Sequence, residues 1–398
     1  MNHLTLVLDV GTTTVKGLLI KKPKEKELAS EFVLNEQIKY GEDIITRIDF
    51  ALKSHENADK LKKAVLGSVN ELVKKLVSQL AYKAHDIKEA VVVCNTAMHH
   101  LFLGISAATL IKPPYKALQK SEIIINAREA GIDISKDAPV IILPNIGGFV
   151  GSDAIGLIIA SGIYKDNNVK LAIDIGTNGE VVLGSAQEIL VTSTAAGPAF
   201  EGGYVSCGMP AVNGAIEKVK ILKNGSVKIS TIGSVAPKGI CGSGLIDLVA
   251  EMFRTGLVDK TGKMKEQSFN LYKKGNTAIF ITQADIRKLQ LAKAAIYAAA
   301  KILMRHMNIE KSEISKVIMT GSFGSCVDPK NALLLGLLPG VSASRVEFIK
   351  DASLIGAKRY ILSKEIQNQL ISVLSKVKRI PLAGKSFQDI YADSMAFA

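Results

Sequence analysis

The sequence predicts an α/β protein made of two similar lobes. Two observations carry that expectation. The segment Leu6-Val-Leu-Asp9-Val-Gly11-Thr12-Thr13 recurs as Leu171-Ala-Ile-Asp174-Ile-Gly176-Thr177-Asn178. After each copy, strand and helix patterns alternate, which is the signature of layered α/β architecture with a ligand held between lobes.

Each copy reads as an apolar strand ending in Asp, a glycine turn and a second apolar strand. The second strands are Val15 to Ile20 and Glu180 to Leu183. Third strands follow at Ala29 to Val33 and Glu188 to Val191, so each half opens with a β-meander. In the first half, Asp59 to Ala81 has the spacing of a long amphipathic helix. Glu89 to Cys94 and Val140 to Leu143 are apolar runs of strand length, and Ser152 to Ser161 is helical. Tyr164 to Asn168 is a polar turn and the natural boundary, giving lobes 1–168 and 169–398. In the second half, Leu245 to Arg254 and Asp285 to Met307 read as helices, with Lys316 to Met319 a strand.

Composition excludes several classes. The chain has 398 residues, 47% of them hydrophobic and 22% charged, which rules out wholesale disorder. Its four cysteines, at 94, 207, 241 and 326, are too few and too spread for a disulfide scaffold, and none forms a C-x2-C pair. No iron–sulfur cluster is expected within it. Fifty Lys and Arg against 37 Asp and Glu give a net charge of +13. The lysines are dispersed among acids, as in Lys21-Lys22-Pro23-Lys24-Glu25-Lys26-Glu27, with no aromatic-interleaved basic stripe. An acidic protein partner fits that pattern better than nucleic acid. Met1 to Val10 is not a signal peptide. The uncharged stretch Ala90 to Lys112 contains Asn95, Thr96, His99, His100 and Gly104, so it reads as buried strand, loop and helix rather than a membrane span. A cytoplasmic chain is expected.

Asp9-Val-Gly-Thr-Thr-Thr14 and Asp174-Ile-Gly-Thr-Asn-Gly179 share one chemical logic. A glycine permits a tight turn whose successive amides form an anion-binding nest. Hydroxyls of Thr12, Thr13 and Thr177 can add donors. An Asp at each strand end suits Mg2+ held through water. Ile318-Met-Thr-Gly321-Ser322-Phe323-Gly324 is a strand running into a glycine turn that could lie flat against adenine or ribose. Gly239-Ile-Cys-Gly242-Ser243-Gly244-Leu-Ile-Asp247 opens a helix with small residues, which serves either an anion or ribose site or close packing of helix on sheet.

These hairpins and turns resemble the ATPase superfamily of acetate and sugar kinases, heat-shock chaperones and actin. Connecting segments resemble more closely the ATPase domain of the reductive activators of corrinoid proteins. They are Asn35 to Ile48, Asn95 to Gly104, Ala195-Ala-Gly-Pro-Ala-Phe-Glu-Gly202, Gly239 to Asp247, Asp285 to Ala295 and Gly336-Leu-Leu-Pro339. The resemblance runs over nearly the whole chain. It implies two ribonuclease-H-like lobes with Mg-ATP in the cleft between them. It also implies ATP-driven reduction of a partner corrinoid protein from cob(II)amide to cob(I)amide for methyl transfer.

The resemblance also implies residue roles. Asp9 and Asp174 organise Mg2+ and phosphate. Gly11, Thr12, Thr13, Thr14, Gly176, Thr177, Asn178 and Gly179 cradle phosphates, and Gly242, Ser243, Gly244, Gly321, Ser322, Phe323 and Gly324 line the nucleoside. Lys16 matches the spacing of actin's phosphate-contacting lysine. Asp153 follows actin's water-positioning residue, or is a helix N-cap. Glu180 is expected behind the metal. His99 and His100 invite a metal or corrinoid-ligand reading, but adjacent residues point to different sides and packing is the stronger expectation. Cys207 and Cys241 could bridge a cluster across a homodimer.

Family members usually carry an iron–sulfur domain, and none is expected in this chain. A separate ferredoxin-like donor is therefore expected, unless this is the ATPase part alone or its activity has drifted. A homodimer is implied as well. The rivals are a small-metabolite kinase, which needs a polar substrate pocket, and a nucleotide-gated binding module, which would turn over negligibly.

Overall fold

The computed structural model describes residues 3–22, 24–113, 115–275, 277–321 and 327–398. The chain forms two compact units, one of Met1–Gly162 with Ala352–Arg379, the other of Ile163–Asp351 with Ile380–Ala398. The chain leaves the first unit at Gly162, just before the polar turn read as the boundary. A continuous second lobe over 169–398 does not describe these units, because residues 352–379 return to the first.

In the first unit, β1 (His3–Val10), β2 (Thr14–Lys22) and β3 (Lys26–Leu34) form an antiparallel meander. Helices α1 (Ile44–Leu52) and α2 (His55–Ser78) lead to β4 (Ile87–Cys94), which runs parallel to β1. Next come α3 (Thr96–Leu103), β5 (Ile123–Asn126), α4 (Ala127–Ala130), β6 (Pro139–Ile142) and α5 (Ser152–Ser161). The sheet order is β3-β2-β1-β4-β6-β5.

Alternation along the central strands sends side chains to two cores. Leu4, Leu6, Leu8 and Val10 pack with Leu61, Val65, Val69, Leu72 and Leu76 of α2, while Val7 packs on the other face with Ile155 and Ile159 of α5. Full burial of each such side chain contributes about 1.5–3 kcal/mol. Helix α2 starts where Ser54 accepts from the Asn57 amide, and its apolar residues recur every three or four positions.

The returning segment supplies α9 (Ala352–Leu362) and α10 (Lys364–Ser375). Helix α9 meets α5 backbone to backbone. A Cβ on Gly356 would lie 1.9 Å from the Gly156 carbonyl oxygen, and one on Gly156 would lie 2.4 Å from that of Ser353. That glycine-paired crossing, with Leu354, Ala357 and Ile361 in the same core, is why residues 352–379 belong to the first unit.

The second unit repeats the plan. Strands β7 (Lys170–Ile175), β8 (Asn178–Gly184) and β9 (Ile189–Ala195) form a meander. Two small sheets follow. One is built from β10 (Ala215–Ile221), β11 (Val227–Thr231) and β12 (Gly239–Ile240), the other from β13 (Ser268–Lys274) and β14 (Thr277–Thr282), with α6 (Gly242–Arg254) between them in sequence. Helix α7 (Gln283–Met307) leads to β15 (Lys316–Gly321), parallel to β7, then α8 (Pro329–Leu334) and β16 (Val346–Phe348), parallel to β15. Within the unit the sheet order is β16-β15-β7-β8-β9, and α11 (Lys385–Asp393) closes the chain. Helix α7 begins at a capping box in which Thr282 and Asp285 satisfy each other's amides. The fully buried Asp285 also accepts from Ser206 N at 3.0 Å. Despite its burial, hydrogen bonds from Thr282 and Ser206 hold its carboxyl below the usual carboxylate range.

The repeat read in sequence is therefore a repeat of topology, a meander whose first strand pairs in parallel with a later one. Among the described residues, no helix is long and apolar enough to cross a membrane.

Candidate functional site

The first hairpin leaves Gly11, Thr12 and Thr13 as its turn, with Asp9 opposite Lys16 and Val10 opposite Val15. The Gly11 amide donates to the Thr14 carbonyl at 3.0 Å. A Cβ on Gly11 would stand 2.8 Å from that same oxygen, so the turn requires glycine. Side chains from outside the hairpin hold it from one side. Asn35 Nδ2 donates to the Gly11 carbonyl at 2.9 Å, and the Asn35 amide donates to the Thr13 carbonyl at 2.9 Å. Asn95 Nδ2 donates to Thr12 Oγ1 at 3.0 Å. In a trans peptide, C=O and N–H point in opposite directions. Fixing the Gly11 carbonyl toward Asn35 therefore turns the Thr12 N–H away from it.

Asp9 and Lys16 face each other across the ladder, so their side chains share one face at direct-pair distance. Asp153 lies in the same region. The buried Cys94 thiol is pushed well up, first by burial and then by the nearby charge of Asp153, with a smaller push from Asp9. The start of α5 is pressed onto the end of β4. Ser152 Oγ accepts from Cys94 N at 3.0 Å, and a Cβ on Gly151 would lie 2.2 Å from the Cys94 carbonyl oxygen. Gly151, not Asp153, is the N-cap of α5. Asp153 sits in the first turn and takes the Ala154 amide on Oδ1 at 2.7 Å. The N-cap alternative is corrected accordingly: the carboxylate serves an amide of the first turn from inside the helix.

The second hairpin has the same topology with a turn one residue shorter, Asp174 lying opposite Glu180 and Ile175 opposite Gly179. Gly176 N donates to Asn178 O at 3.2 Å, and Gly197 N donates to Thr177 O at 2.9 Å. The Thr177 hydroxyl donates to the Glu201 carboxylate in a short hydrogen bond. A hydroxyl has one hydrogen, so Thr177 offers a phosphate its backbone and not the side-chain donor expected of it. Glu180 is buried and accepts from Ser193 Oγ at 3.0 Å.

The remaining sequence-derived residues divide. Gly242 and Gly244 are buried, and a Cβ would lie 2.0 Å from Phe200 O and 2.1 Å from Ile216 O respectively. Close packing of α6 accounts for both glycines. Ser243 is buried beside Cys241, its Oγ 3.4 Å from the sulfur. Gly321 is buried at φ 145°, a conformation that favours glycine, and its neighbour Thr320 pairs with Asp174. Ser322, Phe323 and Gly324 lie outside the described residues.

His100 is a packed tie. Its Nδ1 meets Thr96 O at 2.8 Å, and its Nε2 accepts from Leu118 N at 3.1 Å. His99 is fully buried and neither ring nitrogen has a hydrogen-bond partner among the described residues. Cys207 Sγ accepts from Phe280 N at 3.4 Å, and Cys241 Sγ contacts Ile216 O at 3.3 Å. Among the described residues, no group of three or more His, Cys, Asp or Glu side chains is arranged to hold a metal ion directly.

Sequence reasoning missed the residues that hold the hairpins, namely Asn35, Asn95 and Glu201. Their signal was present. Each lies within a segment that carried the resemblance, as a polar residue among apolar and glycine neighbours.

Comparisons with known proteins agree with this geometry. Residues 4–166 match the family model described as the RACo middle region, and residues 168–398 match that of the C-terminal domain of RACo, the ASKHA domain. The chain is 34% identical over 384 residues to the corrinoid activation enzyme RamQ of Eubacterium limosum, covering 90% of this chain and 64% of RamQ. It is 24% identical to the [Co(II) methylated amine-specific corrinoid protein] reductase of Methanosarcina barkeri, covering 98% of this chain and 76% of that protein. A solved structure of a reductive activator for corrinoid, iron–sulfur protein superposes with a TM-score of 0.94 at 35% identity, covering 99% of this chain and 66% of that one. This chain thus spans just under two thirds of RamQ and of that activator. The matches and the paired hairpin topology together place the chain in the RACo family, carrying its middle region and its ASKHA domain.

Proposed function

We propose that this chain binds and hydrolyses ATP to drive reductive reactivation of a corrinoid protein, from cob(II)amide to cob(I)amide. The carrying observation is the pair of topologically equivalent glycine hairpins, each with an aspartate two residues before its turn glycine, in a chain of the RACo family. The curated relatives act on corrinoid proteins by name, which supports the partner class. Each turnover splits ATP with water to ADP and phosphate. One electron passes to Co(II) from a separate ferredoxin-like donor, since this reading gives the chain no redox centre. The reduction is uphill, and each ~59 mV of one-electron gap corresponds to a tenfold equilibrium factor. A conformational change driven by nucleotide binding or hydrolysis supplies the coupling.

In this reading the amides of Thr12, Thr13 and Thr14 and of the Gly176–Gly179 turn hold phosphate oxygens. Lys16 reaches the same phosphates from β2. Asp153 accepts a hydrogen from the attacking water and aims its lone pair at phosphorus. The Gly321 turn borders the nucleoside, while Gly242, Ser243 and Gly244 act by packing.

The donor set fits a hydrated magnesium ion. Asp9 and Asp174 are half-buried residues near the turn ends of their strands, and no cage of three protein ligands is present among the described residues. When bound, Mg2+ would neutralise charge on the phosphate oxygens. A cytoplasmic homodimer completes the reading.

The test is anaerobic spectroscopy of a corrinoid partner held as cob(II), with Mg-ATP, a low-potential reductant and this chain. The expected result is growth of cob(I) absorption that requires both ATP and the chain. No cob(I) across candidate partners and with added ferredoxin, together with ATP hydrolysis indifferent to them, would overturn the reading in favour of a small-metabolite kinase.

A further inference from the structure

Behind the first hairpin lies a buried polar chain that neither phosphate chemistry nor core packing explains by itself. It starts at the Gly11 carbonyl, held by Asn35 Nδ2 at 2.9 Å. Asn35 Nδ2 also lies 3.4 Å from Gln37 Oε1, and Gln37 Oε1 accepts from Arg47 Nη1 at 3.3 Å. Arg47 Nε donates to Gly41 O at 2.7 Å. Met98 Sδ touches both Asn35 Nδ2 and Arg47 Nη1 at 3.6 Å, and Gln37 Nε2 is anchored on Leu61 O at 2.9 Å. Asn35, Gln37 and Arg47 are all fully buried.

The guanidinium is the unusual member. No carboxylate lies within ion-pair distance of Arg47 among the described residues, and its Nη2 has no hydrogen-bond partner there. Asp43 acts on it only at a distance. A buried cation without a counter-ion is costly, and proteins keep one where an anion compensates it. Here the polar chain leads to the turn whose outward amides are read as a phosphate nest. In a low-dielectric interior, a fixed charge behind the turn acts on a polyphosphate in front of it with little salt screening. Asn35 fixes the orientation of the turn's carbonyls, and Gln37 relays the position of Arg47 to Asn35.

We propose that Arg47, acting through Gln37 and Asn35, is a positioning residue of the first phosphate hairpin. It braces the Gly11–Thr13 turn from behind and supplies a fixed positive charge that a bound polyphosphate compensates. The proposal rests on reading this hairpin as part of an ATP site. It goes beyond that reading by assigning nucleotide-charge selectivity to a residue that never touches the nucleotide.

The test measures affinity for AMP, ADP and ATP by displacement of a fluorescent ATP analogue, alongside thermal unfolding. Arg47→Met keeps bulk and removes charge. It should weaken ATP roughly tenfold while AMP changes less than twofold, with ADP between. Arg47→Lys should restore ATP to within about threefold of the unsubstituted chain, because the charge returns without the planar fork. Should Arg47→Met fail to fold, Asn35→Ser decides. It keeps an acceptor for the Gln37 amide but drops the tie to the Gly11 carbonyl, and must show the same ATP-weighted loss. Equal losses for all three nucleotides, or none, would overturn the brace while leaving the ATP site standing. Absence of ATP binding by the unsubstituted chain would overturn both.

Discussion

His99 allows a quantitative test of the first core. Its imidazole is fully buried in α3 and both ring nitrogens lack partners among the described residues. Burial, reinforced by His100, pulls its pKa from the ordinary 6.5 to about 4. The sign follows from linkage. Below pH 6.5 the unfolded chain takes up a proton that the folded chain refuses, so stability falls with pH until the folded group titrates near 4. The full loss is roughly 3 kcal/mol, and about 2 kcal/mol of it is reached at pH 5. His99→Leu keeps the volume and removes the titration. Urea unfolding of both proteins at pH 8 and pH 5 gives the answer as a double difference, with hydrogen exchange in peptides of 96–103 locating it in the first unit. The variant should gain about 2 kcal/mol on the original on going to pH 5. A double difference under ~0.5 kcal/mol would refute the argument that an unpartnered neutral imidazole is enclosed here. At pH 8 the variant should lose little, since no hydrogen bond is broken. His100→Leu, which strips Thr96 O and Leu118 N of their partner, should cost about 1–3 kcal/mol at pH 8 and less at pH 5, where burial also holds the native imidazole's pKa down.

Three further outcomes are expected. Gly356→Ala puts a Cβ 1.9 Å from the Gly156 carbonyl oxygen, where backbone cannot yield, so unfolding should become easier by about 3 kcal/mol in a thermal melt. Asp153→Asn keeps an acceptor for the Ala154 amide but loses the charge that orients water in the proposed reading. ATPase kcat should fall about 100-fold while nucleotide affinity and melting temperature barely move; a matching loss of stability would mark Asp153 as structural. Glu201→Gln removes a carboxylate beside Thr177, and a titration of ATPase rate against Mg2+ should show a several-fold higher requirement, whereas an unchanged curve would exclude Glu201 from the cation's surroundings.

The scaffold was legible because its signals are local. An apolar strand, an aspartate and a glycine turn occupy eight contiguous residues, and they occur twice. Helix α5 spans Ser152–Ser161 as read, since its apolar run is bounded by Gly151 and Gly162. What the sequence hid is set by distant pairs. Gly356 and Gly156 are 200 positions apart, and their crossing, with the core packed around it, draws residues 352–379 back to the first unit. Strands such as β11 are short and half-exposed, so their apolar alternation is too weak to read beside the long helices. At the site, the hairpins announced themselves, but Asn35 and Asn95 act on Gly11 and Thr12 from 24 and 83 positions away. Thr177 shows the converse. Its hydroxyl looked free to bind phosphate until Glu201 was found to take its hydrogen.

The two hairpins separate what duplication fixes from what it leaves open. Topology is fixed: in each, the aspartate two residues before the glycine stands one pair from the end of the ladder, although the second turn is one residue shorter, so that Asp9 faces Lys16 and Asp174 faces Glu180. The identity of that facing residue is not. In the first hairpin it is Lys16, whose charge offsets Asp9 and leaves the face suited to anionic oxygens. In the second it is Glu180, and two carboxylates directly opposite one another repel. That repulsion is relieved on one side by Ser193, which donates to Glu180, and in the proposed reading on the other by the hydrated cation. In the proposed reading both turns hold phosphate and both aspartates serve the cation, while Lys16 adds positive charge to the first face and Glu180 adds negative charge to the second. Exchanging the facing residues tests the assignment: Lys16→Glu should abolish ATP binding, whereas Glu180→Gln should leave ATP affinity in place and raise the magnesium requirement. Loss of ATP affinity in Glu180→Gln at saturating magnesium would show that the facing residues do not divide the work in this way.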